Sequence, residues 1–451
     1  MKKGSFAILA VLASAALFAA PKRGRVMFWY DTEDYTCPAA DEGTLFHAKL
    51  LTEFGFRGNF NLVGFYAQRL NELGRTDVIE ALSKHSIGSQ TLYHSRHPTI
   101  CEYTDIADWD EAYRRCLAEE AQSVGMIKAV MKLDRLTNFV PPGTSVTPVA
   151  MYVYSDLGIR IYGGGMDVFG DGKIDRLAWY CNMLHVPYHA VPRDNDTLAN
   201  RNLTVIYTHP NQVVTAQFWD GVNYRGENLC EWRKWKQPML LTAEQQRGQR
   251  QGWRDLMARI KADSRLTVVD CDDLLREMND RVKITRTDVP RLLKHMKAGL
   301  EPVEDPSWCV SDIFQAAVRF LCGEREFLPA KAWGFLEKPV GVTEPVTLAR
   351  ADLVVAAKGI RLDAFMPPQI RVGDRMIGPA DFLIAALETL ATDAGRVTVG
   401  PRDQLGPVAK HLPKLPDFRF PGTWVIYSPD FRDDYLSNRL RWQFWTLRYE
   451  D

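Results

Sequence analysis

The sequence predicts an α/β fold: a (β/α) barrel of seven or eight strands, then a smaller C-terminal domain of mixed α/β or helical character. Three observations predict it. Between Arg25 and Val282, short apolar runs of strand length alternate with longer amphipathic stretches, the pattern of mainly parallel strands joined by helices. Seven or eight such units over this length suit closure into a barrel. The 451 residues suffice for two or three domains, and a polar stretch with Pro290, Pro302 and Pro306 separates a second region.

The elements follow in order. Lys2 and Lys3 precede an apolar Ala- and Leu-rich run, Phe6–Ala20, that reads as a secretory signal at 1–20. It is short for a membrane span, and no second apolar run of that kind follows, so a secreted or periplasmic protein without an integral membrane segment is expected. The barrel is assigned to 21–282. Val26–Asp31 reads as its first strand and Leu45–Phe54 as a helix. Gly58–Val63 is a strand, Leu70–Lys84 a helix, and Ile106–Lys132 a long helical stretch. Thr137–Val140 is a short strand that runs into Pro141 and Pro142. Met151–Leu157 is helical, and Ile159–Tyr162 is a strand ending at Gly163–Gly165. Met183–Tyr188 and Thr204–Thr208 are strands, Ala243–Lys261 a helix, Leu266–Val269 a strand and Cys271–Met278 a helix. Residues 283–306 read as a linker, and 307–451 as a C-terminal domain. In that domain Asp312–Ala317 followed by Leu328-Pro329 resembles Asp352–Ala357 followed by Met366-Pro367, a weak two-copy repeat. Trp424–Tyr427 and Arg439–Leu447 are apolar and aromatic, as docked segments are.

Composition narrows function. With 56 basic and 56 acidic residues the chain carries no net charge, which argues against a nucleic-acid partner. Eight cysteines show no CxxC spacing, so a cysteine zinc site is not expected; disulfides and buried thiols both stay open. Oligomeric state is not legible.

Four clusters stand at strand ends. Asp31-Thr32-Glu33-Asp34 crowds carboxylates after the first strand, and such a crowd favours a cation or proton between its members. His94 and His97, at i and i+3, are candidate metal ligands, with surface or structural histidines as the alternative. Phe139-Val140-Pro141-Pro142-Gly143 and Gly163-Gly164-Gly165-Met166-Asp167 shape a groove, or else plain turns. A β-branched strand ends at His209, followed by Phe218-Trp219-Asp220; His209 reads as a general acid or as a satisfied buried histidine.

In this order the motifs resemble the polysaccharide deacetylases, the carbohydrate esterases with a NodB-type domain, over roughly 25–280. Asp31-Thr32-Glu33-Asp34 is similar to their first motif, Ile87–His94 to the second, Phe139–Gly143 to the third, and Tyr207-Thr208-His209-Pro210 to the last. The resemblance implies a distorted (β/α) barrel that hydrolyses acetyl groups, N-acetyl first, on a polysaccharide substrate. It implies a divalent metal ion, zinc foremost. Asp31 would be the base that activates water and His209 the acid, with Glu33 and His94 as metal ligands and Gln90 or His97 completing the set. Pro142, Gly143, Asp167 and Trp219 are the candidate substrate-binding residues. Two positions depart from the pattern. Gln90 stands where the second motif has its first His, and Val140 where the family often has an Arg that holds the base; Arg96 or a backbone group would then hold Asp31. These departures carry the alternative, a degenerate barrel that binds glycan without turnover. Paired-carboxylate glycosidase chemistry ranks last, because Asp31 and Glu33 are too close together for it. In the C-terminal domain, Met366–Leu383 is similar to a pseudomurein-binding-type cell-wall repeat, which would imply a scaffolding or glycan-binding role.

Overall fold

The computed structural model describes residues 24–144, 147–164, 177–189, 194–224, 231–277, 281–407 and 427–450. The expected signal at 1–20, Asp167 and the run 424–426 lie outside these residues. The first part of the chain runs β1 (Gly24–Thr32), α1 (Ala40–Phe54), β2 (Asn59–Leu62), α2 (Gly64–Glu72), α3 (Thr76–Leu82), β3 (Ser86–Ser89), α4 (Ile100–Thr104), α5 (Trp109–Met131) and β4 (Asn138–Phe139). It continues with α6 (Pro148–Asp156), β5 (Ile161–Gly164), β6 (Leu177–Tyr180), β7 (Met183–Pro187), α7 (Asn195–Ala199), β8 (Leu203–Thr208), α8 (Trp219–Asn223), α9 (Ala243–Ala262), β9 (Leu266–Val268) and α10 (Cys271–Glu277).

Strands β7, β5, β4, β3, β2, β1 and β8 lie side by side, every pairing parallel. A parallel bridge between His189 and Ile206 then brings the segment after β7 against β8 and closes the curl. The result is the expected (β/α) barrel, with β9 on the first half of β1 and β6 antiparallel on β7. Alternation along β1 explains the packing. Met27 and Trp29 point inward, in one cluster with Ile161, Leu184, Val186 and Val205. Val26, Phe28 and Tyr30 point outward into the core shared with the helices. Because both faces are buried, the strand reads as an unbroken apolar run. The Trp29 indole fills the barrel so completely that a Cβ on Gly163 would come within 2.2 Å of it.

The structure redraws several expected boundaries. The helix expected over Leu70–Lys84 is two helices, α2 and α3, whereas the long stretch expected over Ile106–Lys132 is the single helix α5, started by Asp108 capping the Glu111 N–H; the short α4 before it was not expected. The expected linker 283–306 is folded. It holds β10 (Ile284–Thr285) and α11 (Val289–Ala298), which buries Val289, Leu292 and Met296 along one face. Its Pro290 sits in the first turn, where a helix tolerates proline.

The second half continues with α12 (Val310–Leu321), β11 (Glu326–Phe327), β12 (Val346–Ala349), α13 (Arg350–Gly359), β13 (Ile370–Val372), β14 (Arg375–Ile377), α14 (Pro379–Thr392) and β15 (Arg396–Val399). It contains two like units, each strand–helix–helix–strand with its outer strands antiparallel, β10 with β11 and β12 with β15, the second carrying the hairpin β13–β14 between its helices. The register differs from the sequence repeat. Asp312 matches Asp381 rather than Asp352, since each accepts the backbone N–H that opens its buried helix, Cys309 for α12 and Gly378 for α14. Helix α13 buries only Leu353 and Ala357, whereas α12 and α14 are buried along nearly their whole length. Finally α15 (Leu436–Trp442) and β16 (Arg448–Glu450) return to the barrel, where β16 pairs antiparallel with β6. Arg448 forms a buried ion pair with Asp312 at 2.7 Å, tying barrel to C-terminal half.

Candidate active site

The C-terminal ends of the parallel strands form the mouth of the barrel, where side chains from different loops converge. β1 ends in Asp31, buried on the side of Met27 and Trp29, and Glu33 follows in the loop. The loop is fixed from within. Asp34 accepts hydrogen bonds from the Thr36 and Cys37 backbones and from Asn211, and burial pushes its carboxyl up to about 6. The Tyr35 hydroxyl donates to the Tyr93 carbonyl at 2.7 Å and thereby joins this loop to the one after β3. In that second loop Thr91 and His94 hold positive φ values of 64° and 53°, a strained conformation of the kind that clusters at functional positions.

Glu33 is the centre of the group. One carboxylate oxygen, Oε2, meets His94 Nε2 at 3.0 Å and accepts from Gln90 Nε2 at 2.9 Å. The other, Oε1, accepts from the Trp219 indole at 3.1 Å and lies 3.5 Å from His209 Nε2. Burial alone would raise Glu33; the imidazoles of His94 and His209 and the hydrogen bonds hold it below the usual carboxylate range. Asp31 goes the other way, well up, through burial and the neighbouring Glu33 charge. His209 is pushed down by burial, against the pull of Glu33 toward its cationic form.

Among the described residues, two sets of potential ligand atoms lie within 4.8 Å of one another: Asp31, Glu33 and His209, and Glu33, His94 and Asp220. Two carboxylates and an imidazole suit a divalent ion. Gln90 adds an amide oxygen, Oε1, that is buried and has no hydrogen-bond partner among the described residues. The donor set thus fits the expected metal, with Asp220 as a further candidate ligand to which motif reading gave no role.

No family model and no curated protein matches this chain. Among solved structures it is similar to a mutant of a CE4-family pseudoenzyme of Bacillus anthracis with restored activity, at 12% identity over 57% of this chain and 69% of that one, TM-score 0.32. A polysaccharide deacetylase described from Mycobacterium smegmatis aligns at 14% identity over 57% and 93%, TM-score 0.35. A 4-alpha-glucanotransferase from Thermococcus litoralis aligns at 11% identity over 57% and 41%, TM-score 0.41.

The remaining candidates sort themselves by position. His97 belongs to neither ligand set; its Nδ1 pairs with the Glu102 carboxylate at 2.7 Å, and Gln90 is the residue that faces Glu33. Trp219 does not line a groove as a sugar platform, because it is fully buried with its N–H committed to Glu33. Pro142 and Gly143 form a tight turn after β4, with Gly143 at φ 57°. Asp31 is held by neither Arg96 nor an arginine at position 140. Asn61 donates to its Oδ1 at 3.1 Å, while Arg96 stacks over the Tyr93 ring. The signal for Asn61 was present: Asn59 and Asn61 are polar residues alternating through an otherwise apolar strand, and both are fully buried.

Proposed function

We propose that the chain is an exported, metal-dependent hydrolase that removes acetyl groups, N-acetyl first, from a polysaccharide. The observation that carries this reading is the Glu33 carboxylate, surrounded by His94, Asp220, Asp31 and His209 at the barrel mouth. Glu33, His94 and Asp220 would hold the ion, whose contribution is to polarise the acetyl carbonyl and make water more acidic. Asp31, poised by Asn61, takes a proton from the attacking water as the new C–O bond forms. His209 gives a proton to the departing nitrogen as the C–N bond breaks, leaving acetate and a free amine. The basic start at Lys2 and Lys3 and the apolar run behind it support export.

Gln90 favours a second reading. Its amide occupies one flank of Glu33 with a hydrogen bond, as suits a barrel that binds glycan without turnover. Metal analysis and acetate release decide between the two. The hydrolase reading expects about one divalent ion per chain, acetate from acetylated glycans, and loss of both in His94→Ala. Metal-free protein that binds glycan but liberates no acetate would establish the second reading and end the first.

A further inference from the structure

At the opposite end of the barrel, beneath the N-terminal ends of the strands, lies a cavity of about 1070 Å³ between the barrel and the C-terminal half. Seven basic side chains line it against four acidic ones. Three of the acids already answer a base: Asp156 with Lys331 at 2.7 Å, Asp272 with Arg135 at 2.6 Å, and Glu277 with Arg25 at 2.5 Å. Arg448 is paired with Asp312, and Arg276 with Asp273.

Two cations remain. Arg160, just before β5, lies over the Trp179 ring at 5.2 Å, and its buried Nε has no hydrogen-bond partner among the described residues. Arg281 makes one weak hydrogen bond, to the Pro329 carbonyl at 3.3 Å. The fourth acid, Glu450, lines the same space and, against the effect of burial, is drawn toward its anionic form by Arg448 and Arg281, so it offsets part of this positive charge but is ion-paired with neither Arg160 nor Arg281 among the described residues. The guanidinium groups also disfavour one another. Burial pulls Arg281 down to about 10, with Arg448 and Arg160 adding to the effect, and burial and Arg448 pull Arg160 down as well. Half-buried arginines that repel each other, one with an unanswered N–H, are the arrangement that an anion resolves. Their planar forks also suit bidentate oxyanions.

We propose that this cavity binds an oxyanion-bearing ligand, a phosphate or carboxylate group seated between Arg160 and Arg281. The volume admits more than the anion alone, and Val282, an exposed apolar residue in the lining, provides apolar surface for the remainder. The cavity lies at the far end of the barrel from Glu33 and shares no lining residue with the candidate active site.

The test is calorimetric titration of the full chain with inorganic phosphate and, separately, with trigalacturonate, at constant ionic strength set with chloride. Saturable binding of at least one probe is expected, weakened tenfold or more in both Arg160→Gln and Arg281→Gln. Tighter binding of phosphate assigns a phosphorylated ligand, and tighter binding of trigalacturonate an acidic glycan. Circular dichroism confirms that each variant is folded, and Arg281→Gln serves alone if Arg160→Gln is not. No saturable heat with either probe, or unchanged affinity in the folded variants, overturns the proposal.

Discussion

Asp220 shows how much a single side chain decides here. It is fully buried on α8, its Oδ1 accepts the Gly221 N–H at 2.7 Å, and it shares a ligand set with Glu33 and His94. Asp220→Asn keeps the volume and removes the charge. Metal affinity is expected to fall by at least ~10–100-fold, the range seen when even supporting groups around a metal are lost. Titration calorimetry with zinc and manganese measures it, and an unchanged dissociation constant would exclude Asp220 as a ligand. Asp31, Glu33, His94 and His209 were legible in the sequence because each sits in a compact motif at a strand end. Asp220 and Asn61 left only a weaker trace, an unassigned acid after Trp219 and a polar alternation in β2, and their place at the site follows only from the fold, from α8 and from β2. Trp219 was misread for a related reason, since sequence shows an aromatic but not which way it faces.

A second residue away from the site gives a pH test. Burial pushes the Glu120 carboxyl up to about 7, although the hydroxyls of Tyr103 and Tyr154 donate to it. The folded state therefore binds this proton more tightly than the unfolded state. The stabilising effect is complete below about pH 4.5 and is lost as pH rises through about 7, an effect of roughly 3 kcal/mol for a shift of this size. Glu120→Gln should flatten that decline, which urea unfolding at pH 5 and pH 8 would register as a smaller difference than in the unaltered protein.

At the scale of elements, strand β3 works by close approach. A Cβ on Gly88 would lie 2.3 Å from the Asn138 amide and 2.6 Å from Asn61 Oδ1. Asn138 in turn donates to Asn61, which holds Asp31. Gly88→Ala is expected to cost ~1–3 kcal/mol of stability, the usual range for overpacking, and to reduce turnover through displaced Asn61. Chemical denaturation and acetate release on the same sample would reveal both losses together; a fully stable, fully active variant would contradict this packing. The strands were legible because their apolar runs and flanking Gly and Pro leave little ambiguity. The repeat register was not. Helices α12 and α13 share the string Asp-x-x-x-Ala-Ala, yet α12 corresponds to α14, which burial and the Asp that caps each helix reveal.

For the whole molecule, the barrel and the C-terminal half are joined through Arg448. Its ion pair with Asp312 is buried on both sides. Removing one partner of such a pair leaves an uncompensated charge and costs ~3–5 kcal/mol. Arg448→Met is therefore expected to lower the unfolding midpoint of the full chain, with Asp312→Asn in the same chain, which removes the charge but keeps an oxygen for the Cys309 N–H, restoring much of the loss. If the double variant is no better than the single one, the cost lies in lost packing and not in the stranded carboxylate.

The pairing of β16 with β6 also sets an order of events during synthesis. Until Arg448–Glu450 have been made, the outer edge of β6 offers unpaired backbone donors and acceptors, an invitation to strands from other chains. The barrel's last stave is thus made only after the whole stretch from β10 to α15, and a ribosome stalled before that point leaves a nascent chain with an adhesive seam.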